Sequence, residues 1–197
     1  MIALEAALAR IAESVREVGF RFALVGGLAV SARAQPRLTR DADLAVAVED
    51  DAAAEHLIHG LFRRGYAAGL FVEQEYTGRL STVRLTHPAD GGLVVDLLLA
   101  SSGIEAEIVD AADDLLITDG LTLPVASIGH LIVMKLLARD DRQRPMDADD
   151  LRALAEEATE GDWMVATSAA ALVTARGFHR ERDLGAALRD LREHGAY

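Results

Sequence analysis

A carboxylate interrupts one of the two longest apolar runs in this 197-residue chain. Leu93-Val94-Val95-Asp96-Leu97-Leu98-Leu99 has the length of a strand and, Asp96 apart, the composition of a buried one. An unpaired carboxylate in an apolar core is costly. The fold therefore has to give Asp96 a cation, a hydrogen-bond partner or an outlet into a cleft. A partly exposed strand end or an internal salt bridge would also satisfy it.

Upstream lies a second acidic signal, Asp41-Ala42-Asp43, at the start of the alternating stretch Asp41–Val48. Side chains at i and i+2 of a strand share a face, roughly 6.6 Å apart. Two carboxylates so placed repel by about 3 kcal/mol at an effective dielectric of ~20. A divalent cation turns that repulsion into coordination, and oxygen-only ligands suit Mg²⁺ or Mn²⁺. Asp-x-Asp at a strand edge is more often simply solvated. With Asp96 as a third ligand on a neighbouring strand, the metal reading becomes the better one.

Just before these residues, Gly26-Gly27 joins the short apolar strand Phe20–Val25 to a helix beginning near Leu28. Small residues there let backbone N–H groups approach an anion at a helix N-terminus. Arg37, Thr39 and Arg40 lie between this turn and the aspartates, placed either to contact phosphates or to form an ordinary polar loop.

The chain's single lysine, Lys135, interrupts the other long apolar run, Leu131–Ala138, which reads as a helix with Ser127 as N-cap. Arg139 and Arg142 follow four and seven residues on, so a continuing helix would carry all three cations on one face. Carboxylates that hold metal, faced by cations that hold phosphate, are what a metal–triphosphate complex requires. A solvated helix stripe is the plain alternative. Asp147 and Asp150, at i,i+3 on the next helix, would orient Lys135 or an acceptor group, or cap the helix N-terminus.

The remaining pattern sets the organisation. Helical spacing marks Leu4–Val18 and Asp50–Arg64, strand candidates cover 68–74, 80–86 and 93–99, and short elements fill 104–124. After Arg144 the spacing is helical throughout: 147–158, 162–176 and 182–194. This gives an α/β region over 1–125 and a helical part over 126–197 packed on it. No cysteine is present, which excludes disulfides and thiolate zinc sites. The net charge of -12 excludes nucleic-acid binding as a whole-surface property and leaves it to a local basic groove. The start of the chain lacks signal-peptide character and no run is long enough to span a membrane, so the cytoplasm is the expected location.

Taken in order, Leu24-Val25-Gly26-Gly27, Arg37-x-Thr39-x-Asp41-x-Asp43-Leu44, Val95-Asp96-Leu97-Leu98, Met134-Lys135-x-x-Ala138-Arg139 and Asp147-x-x-Asp150-Leu151 resemble the AbiEii-type nucleotidyltransferases. These are toxins of bacterial toxin–antitoxin systems that include the mycobacterial MenT toxins. The resemblance implies an α/β (α+β) fold: a polymerase-β-like core with a mixed sheet, followed by C-terminal helices. It implies a glycine turn at Gly26 and Gly27, metal ligands at Asp41, Asp43 and Asp96, and a nucleotide-binding lysine at Lys135. It also implies a tRNA acceptor end as substrate and a cognate antitoxin as partner. The turn is Gly-Gly where related enzymes often have Gly-Ser, and Met146 stands where many carry lysine.

The combined expectation is transfer of a nucleoside monophosphate from NTP to the 3′ end of tRNA, with Mg²⁺ (or Mn²⁺). Asp41, Asp43, Asp96 and Lys135 would be catalytic; Gly26, Gly27, Arg37, Thr39, Lys135 and Arg139 would bind nucleotide; Asp147 and Asp150 would be accessory. Two alternatives stay open: transfer to a small molecule or a protein, and a catalytically inert nucleotide-binding module. For tRNA, the arginines considered are Arg33, Arg37, Arg40, Arg139, Arg142, Arg144, Arg176, Arg180 and Arg182.

Overall fold

The computed structural model describes residues 2–37, 39, 41–74, 78–118, 120–139 and 146–195. Helix α1 (Ile2–Val18) leads into β1 (Phe22–Val25), which passes without a linker into α2 (Gly26–Arg33). Then come β2 (Asp41–Val46), α3 (Asp51–Phe62), β3 (Ala67–Glu73), β4 (Leu80–Thr86) and β5 (Val94–Leu98). A single 3-10 turn at Pro88–Asp90 joins β4 to β5. The stretch that the sequence left as short elements resolves into α4 (Glu105–Asp110), β6 (Asp113–Thr118) and β7 (Leu121–Val125). Every later described element is a helix: α5 (Ile128–Ala138), α6 (Met146–Glu157), α7 (Glu160–Ala175) and α8 (Leu184–His194).

The strands form one mixed sheet of seven, in the order β3-β4-β5-β2-β1-β7-β6. Its central pair, β2 and β5, is parallel, and β1 is antiparallel to β2. Alternation along these strands separates two faces. On one face Ala42, Leu44, Val46, Val95, Leu97, Val83 and Leu85 are all at most 1% exposed. The other face carries Asp41, Asp43, Asp96 and Arg84. Asp96 therefore interrupts an apolar run because its strand is covered on one side and opens to a cleft on the other.

Helix α5 packs against α2, α6, α7 and α8. Its N-terminus is set by Ser127, whose side chain accepts from the His130 N–H as the sequence predicts. A continuous buried cluster runs from Leu8 to Leu191 through the sheet and these helices. No helix among the described residues is long and apolar enough to cross a membrane.

Candidate active site

Strand register builds the first half of the site. Asp43 lies directly opposite Asp96 across the parallel β2–β5 pair. Asp96 lies opposite Arg84 on β4, and Asp43 opposite Val25 on β1. Neighbouring strands are ~4.8 Å apart, so Val25, Asp43, Asp96 and Arg84 form one row across four strands. Asp41 shares the face two residues before Asp43 and is exposed. The sequence expectation that these three carboxylates share a face is met by the structure.

The glycine turn makes room for this row. Gly26 has φ +64, and a Cβ there would overlap the Asp43 carboxylate. A Cβ on Gly27 would overlap the Arg37 guanidinium and press on Thr39 Oγ1. The first N–H groups of α2 have no side-chain cap at Val25. Ser31 Oγ donates to the Gly27 carbonyl at 3.0 Å and accepts from the Arg37 N–H at 3.3 Å, which ties the Arg37 segment to α2. Thr39 Oγ1 makes a long contact to the Asp41 carbonyl, 3.4 Å.

A buried ion network forms the second half. Lys135 Nζ donates to Asp147 Oδ1 at 2.7 Å and lies 2.6 Å from Asp150 Oδ2. Arg37 Nη2 donates to the same Asp150 Oδ2 at 2.8 Å, and its Nε is 2.7 Å from Oδ1. The side chains of Lys135, Asp147 and Asp150 are at most 7% exposed. Two cations and two carboxylates balance in formal charge, so no member of the network is buried without an opposite charge. Of the roles open to Asp147 and Asp150, the structure shows the one in which they orient Lys135.

Two expectations are corrected. Lys135 does not head a free cationic face, because Asp147 and Asp150 already hold its ammonium. Nor does Arg139 extend that face: α5 ends at Ala138, and Arg139 turns away with ψ 126. Its carbonyl accepts from Arg182, and with Arg182 it lines a depression apart from the carboxylate cleft. Arg40, Arg142 and Arg144 lie outside the described residues. Three other arginines considered for tRNA tie elements together. Arg33 reaches the Val125 and Ala126 carbonyls and Asp113. Arg176 pairs with Glu107, whose carboxyl this bond holds below the usual range, and Arg182 also reaches the Leu136 carbonyl.

Sequence reasoning missed Arg84. It donates from Nε to Asp96 Oδ1 at 2.9 Å and from Nη2 to Oδ2 at 2.7 Å. The signal was present: a β4–β5 hairpin folded symmetrically about Asp90 places position 84 opposite position 96. The internal salt bridge considered for Asp96 therefore exists. Asp96 pairing raises the guanidinium pKa further above its usual value, with Asp41 and Asp43 adding to it.

A cleft of about 270 Å³ is lined by Asp43, Asp96 and Gly26 and, from α5, by Lys135 with the apolar Leu131, Met134 and Leu137. Arg180, which closes one side, has a left-handed φ of 52 and donates to the Ser101 carbonyl. Among the described residues no three carboxylate or imidazole groups converge as a metal site. The donor set nonetheless fits a hard divalent cation. Mg²⁺ commonly takes one or two carboxylates, the rest of its shell being water and substrate phosphate. The Asp43–Asp96 pair, beside a glycine that leaves room for Asp43, would supply those two.

The family described as Nucleotidyl transferase AbiEii toxin, Type IV TA system matches residues 7–195. No curated protein sequence matches the chain. Among solved structures, an antigenic nucleotidyltransferase-like protein from Paracoccidioides brasiliensis is similar in fold (TM-score 0.53, 19% identity, 96% of this chain and 93% of that one). The antibiotic-resistance factor ANT(2'')-Ia matches at a TM-score of 0.47 and 18% identity, over 95% of this chain and 91% of its own. The MenT4 nucleotidyltransferase toxin from Mycobacterium tuberculosis H37Rv matches at 0.44 and 20%, over 84% of this chain and 64% of its own.

Proposed function

The chain belongs to the AbiEii nucleotidyltransferase toxin family, and from that premise we propose that the carboxylate row and the buried lysine network together transfer a nucleoside monophosphate from NTP to the 3′ hydroxyl of tRNA. The family makes the chain a nucleotidyltransferase and a toxin of a toxin–antitoxin system, which implies an antitoxin partner. One observation carries the site assignment. Asp43 faces Asp96 in register on adjacent parallel strands, at a cleft that Gly26 and Lys135 also line.

Asp43 and Asp96 would hold a divalent cation, with Asp41 beside them at the exposed end of the face. When bound, the cation supplies Lewis-acid stabilisation of the charge that develops on the triphosphate. The uncapped N-terminus of α2 offers N–H groups to phosphate oxygens. Asp147 and Asp150 would hold the Lys135 ammonium in place at the cleft wall, where its donors would reach phosphate, and Arg37 buttresses it through Asp150. The acceptor hydroxyl gives its proton to a carboxylate of the row as its oxygen bonds to the α-phosphorus. The bond from that phosphorus to the bridging oxygen breaks, and pyrophosphate leaves.

The tRNA acceptor rests on the resemblance to the MenT toxins. The net charge of -12 favours a second reading, in which the acceptor is a small molecule. Purified protein incubated with each labelled NTP, Mg²⁺ and total tRNA separates the two. Label should enter intact tRNA and not tRNA whose 3′ ribose has been oxidised with periodate. Equal labelling of both would refute the 3′-end assignment. Failure to label tRNA, with label entering a small acceptor, would select the second reading.

A further inference from the structure

We propose that Arg84 is a positioning residue that serves as a built-in counter-cation for the carboxylate row and competes with the divalent cation for Asp96. The proposal rests on the reading of Asp43 and Asp96 as the cation-holding pair.

Asp41, Asp43 and Asp96 place three negative charges on one sheet face, and Arg84 is directly across from Asp96 in register. Its planar fork uses both Asp96 oxygens, at 2.9 and 2.7 Å. Asp96 is held in a half-dry position, its side chain 14% exposed against 44% for Arg84. Lys135 at the cleft and Arg37 behind it are balanced by Asp147 and Asp150, and Arg180, also at the cleft, bonds to the Ser101 carbonyl. On this face Asp41, Asp43 and Asp96 stand with Arg84, whose fork is committed to Asp96.

Two consequences follow from this arrangement. Without a cation, Arg84 relieves part of the repulsion in the row and keeps the Asp96 carboxylate on the cleft face. With a cation, an Asp96 oxygen has to share its lone pairs between the Arg84 fork and the metal, and the guanidinium charge opposes the ion beside it. The guanidinium thus lowers cation affinity while preserving the geometry that the cation needs. An ordinary structural salt bridge would do only the second.

The test is Mn²⁺ titration of the full chain without nucleotide, followed by spin resonance, alongside melting temperatures in EDTA and in saturating Mn²⁺. Arg84→Met, which keeps an apolar stem, should bind Mn²⁺ tighter by on the order of tenfold, since a unit positive charge beside the site is removed. It should melt lower than the parent in EDTA and recover in Mn²⁺. Arg84→Lys should fall between, because an ammonium does not reproduce the two-point fork. Asp43→Asn should lose the Mn²⁺ signal in either background. Arg84→Met binding no tighter than the parent, or a melting loss that Mn²⁺ does not restore, would overturn the proposal. So would absence of Mn²⁺ binding in both proteins. If the Mn²⁺ effect holds but no NTP is transferred to any acceptor, the function assigned above fails and this role for Arg84 stands.

Discussion

Lys135 is marked in the sequence by its intrusion into Leu131–Ala138, and the structure puts it at the cleft. The sequence left several roles open to Asp147 and Asp150, and the structure shows both bonded to the Lys135 ammonium. Removing one member of a buried ion network leaves its partners uncompensated, at a cost of about 3–5 kcal/mol. Lys135→Ala should therefore lower stability by that order as well as abolish transfer, and urea unfolding will show it. A variant as stable as the parent would mean that Asp147 and Asp150 are not held as described. Gly26 gives a second residue-scale outcome. Its φ of +64 disfavours any side chain, and a Cβ would displace the Asp43 carboxylate. Gly26→Ala should cost more than about 1 kcal/mol and reduce transfer far beyond what that loss explains. Asp96 was legible from composition, whereas its partner Arg84 was legible only through the hairpin register that sets position 84 opposite 96.

Helix α5 sets the limit of what can be read at the scale of an element. Ser127 as its N-cap was legible, since capping is local chemistry. Its end at Ala138 was legible too. What was not legible is that Arg139 leaves the helix face there, with its carbonyl and that of Leu136 taken up by Arg182, more than forty residues later. The same element holds a pH-sensitive group. His130 is buried in the first turn, with Nδ1 2.9 Å from Ser127 Oγ, and burial lowers its pKa below the usual 6.5. The unfolded chain then binds the proton more readily than the folded one. Stability from neutral His130 is present above pH ~6.5 and is lost as pH falls toward the folded value. Replacing His130 by Asn should flatten the part of the melting-temperature decline between pH 7 and 5 that this residue contributes. Parallel curves for parent and variant would contradict the assignment.

At the scale of the molecule, the order of strands and helices was largely legible, because period-two and period-3.6 patterns alternate clearly up to about residue 100 and only the helical one persists after residue 125. Sheet order was not. Strand β7 joins the sheet beside β1 through a short parallel pairing, Leu24 with Val125, that no local pattern announces. The stretch containing β6 and β7 carried no distinct signal of its own. Yet that sheet order is what puts β2 beside β5 and hence Asp43 beside Asp96. The central claim is that this pair performs nucleotidyl transfer. Its most direct test is the initial rate of label transfer from NTP by parent, Asp43→Asn and Asp96→Asn proteins whose circular dichroism spectra coincide. The parent should transfer label, and each variant should fall at least a hundredfold, the scale of losing a stabilising group in the transition state. Transfer by Asp43→Asn at the parent's rate would contradict the account.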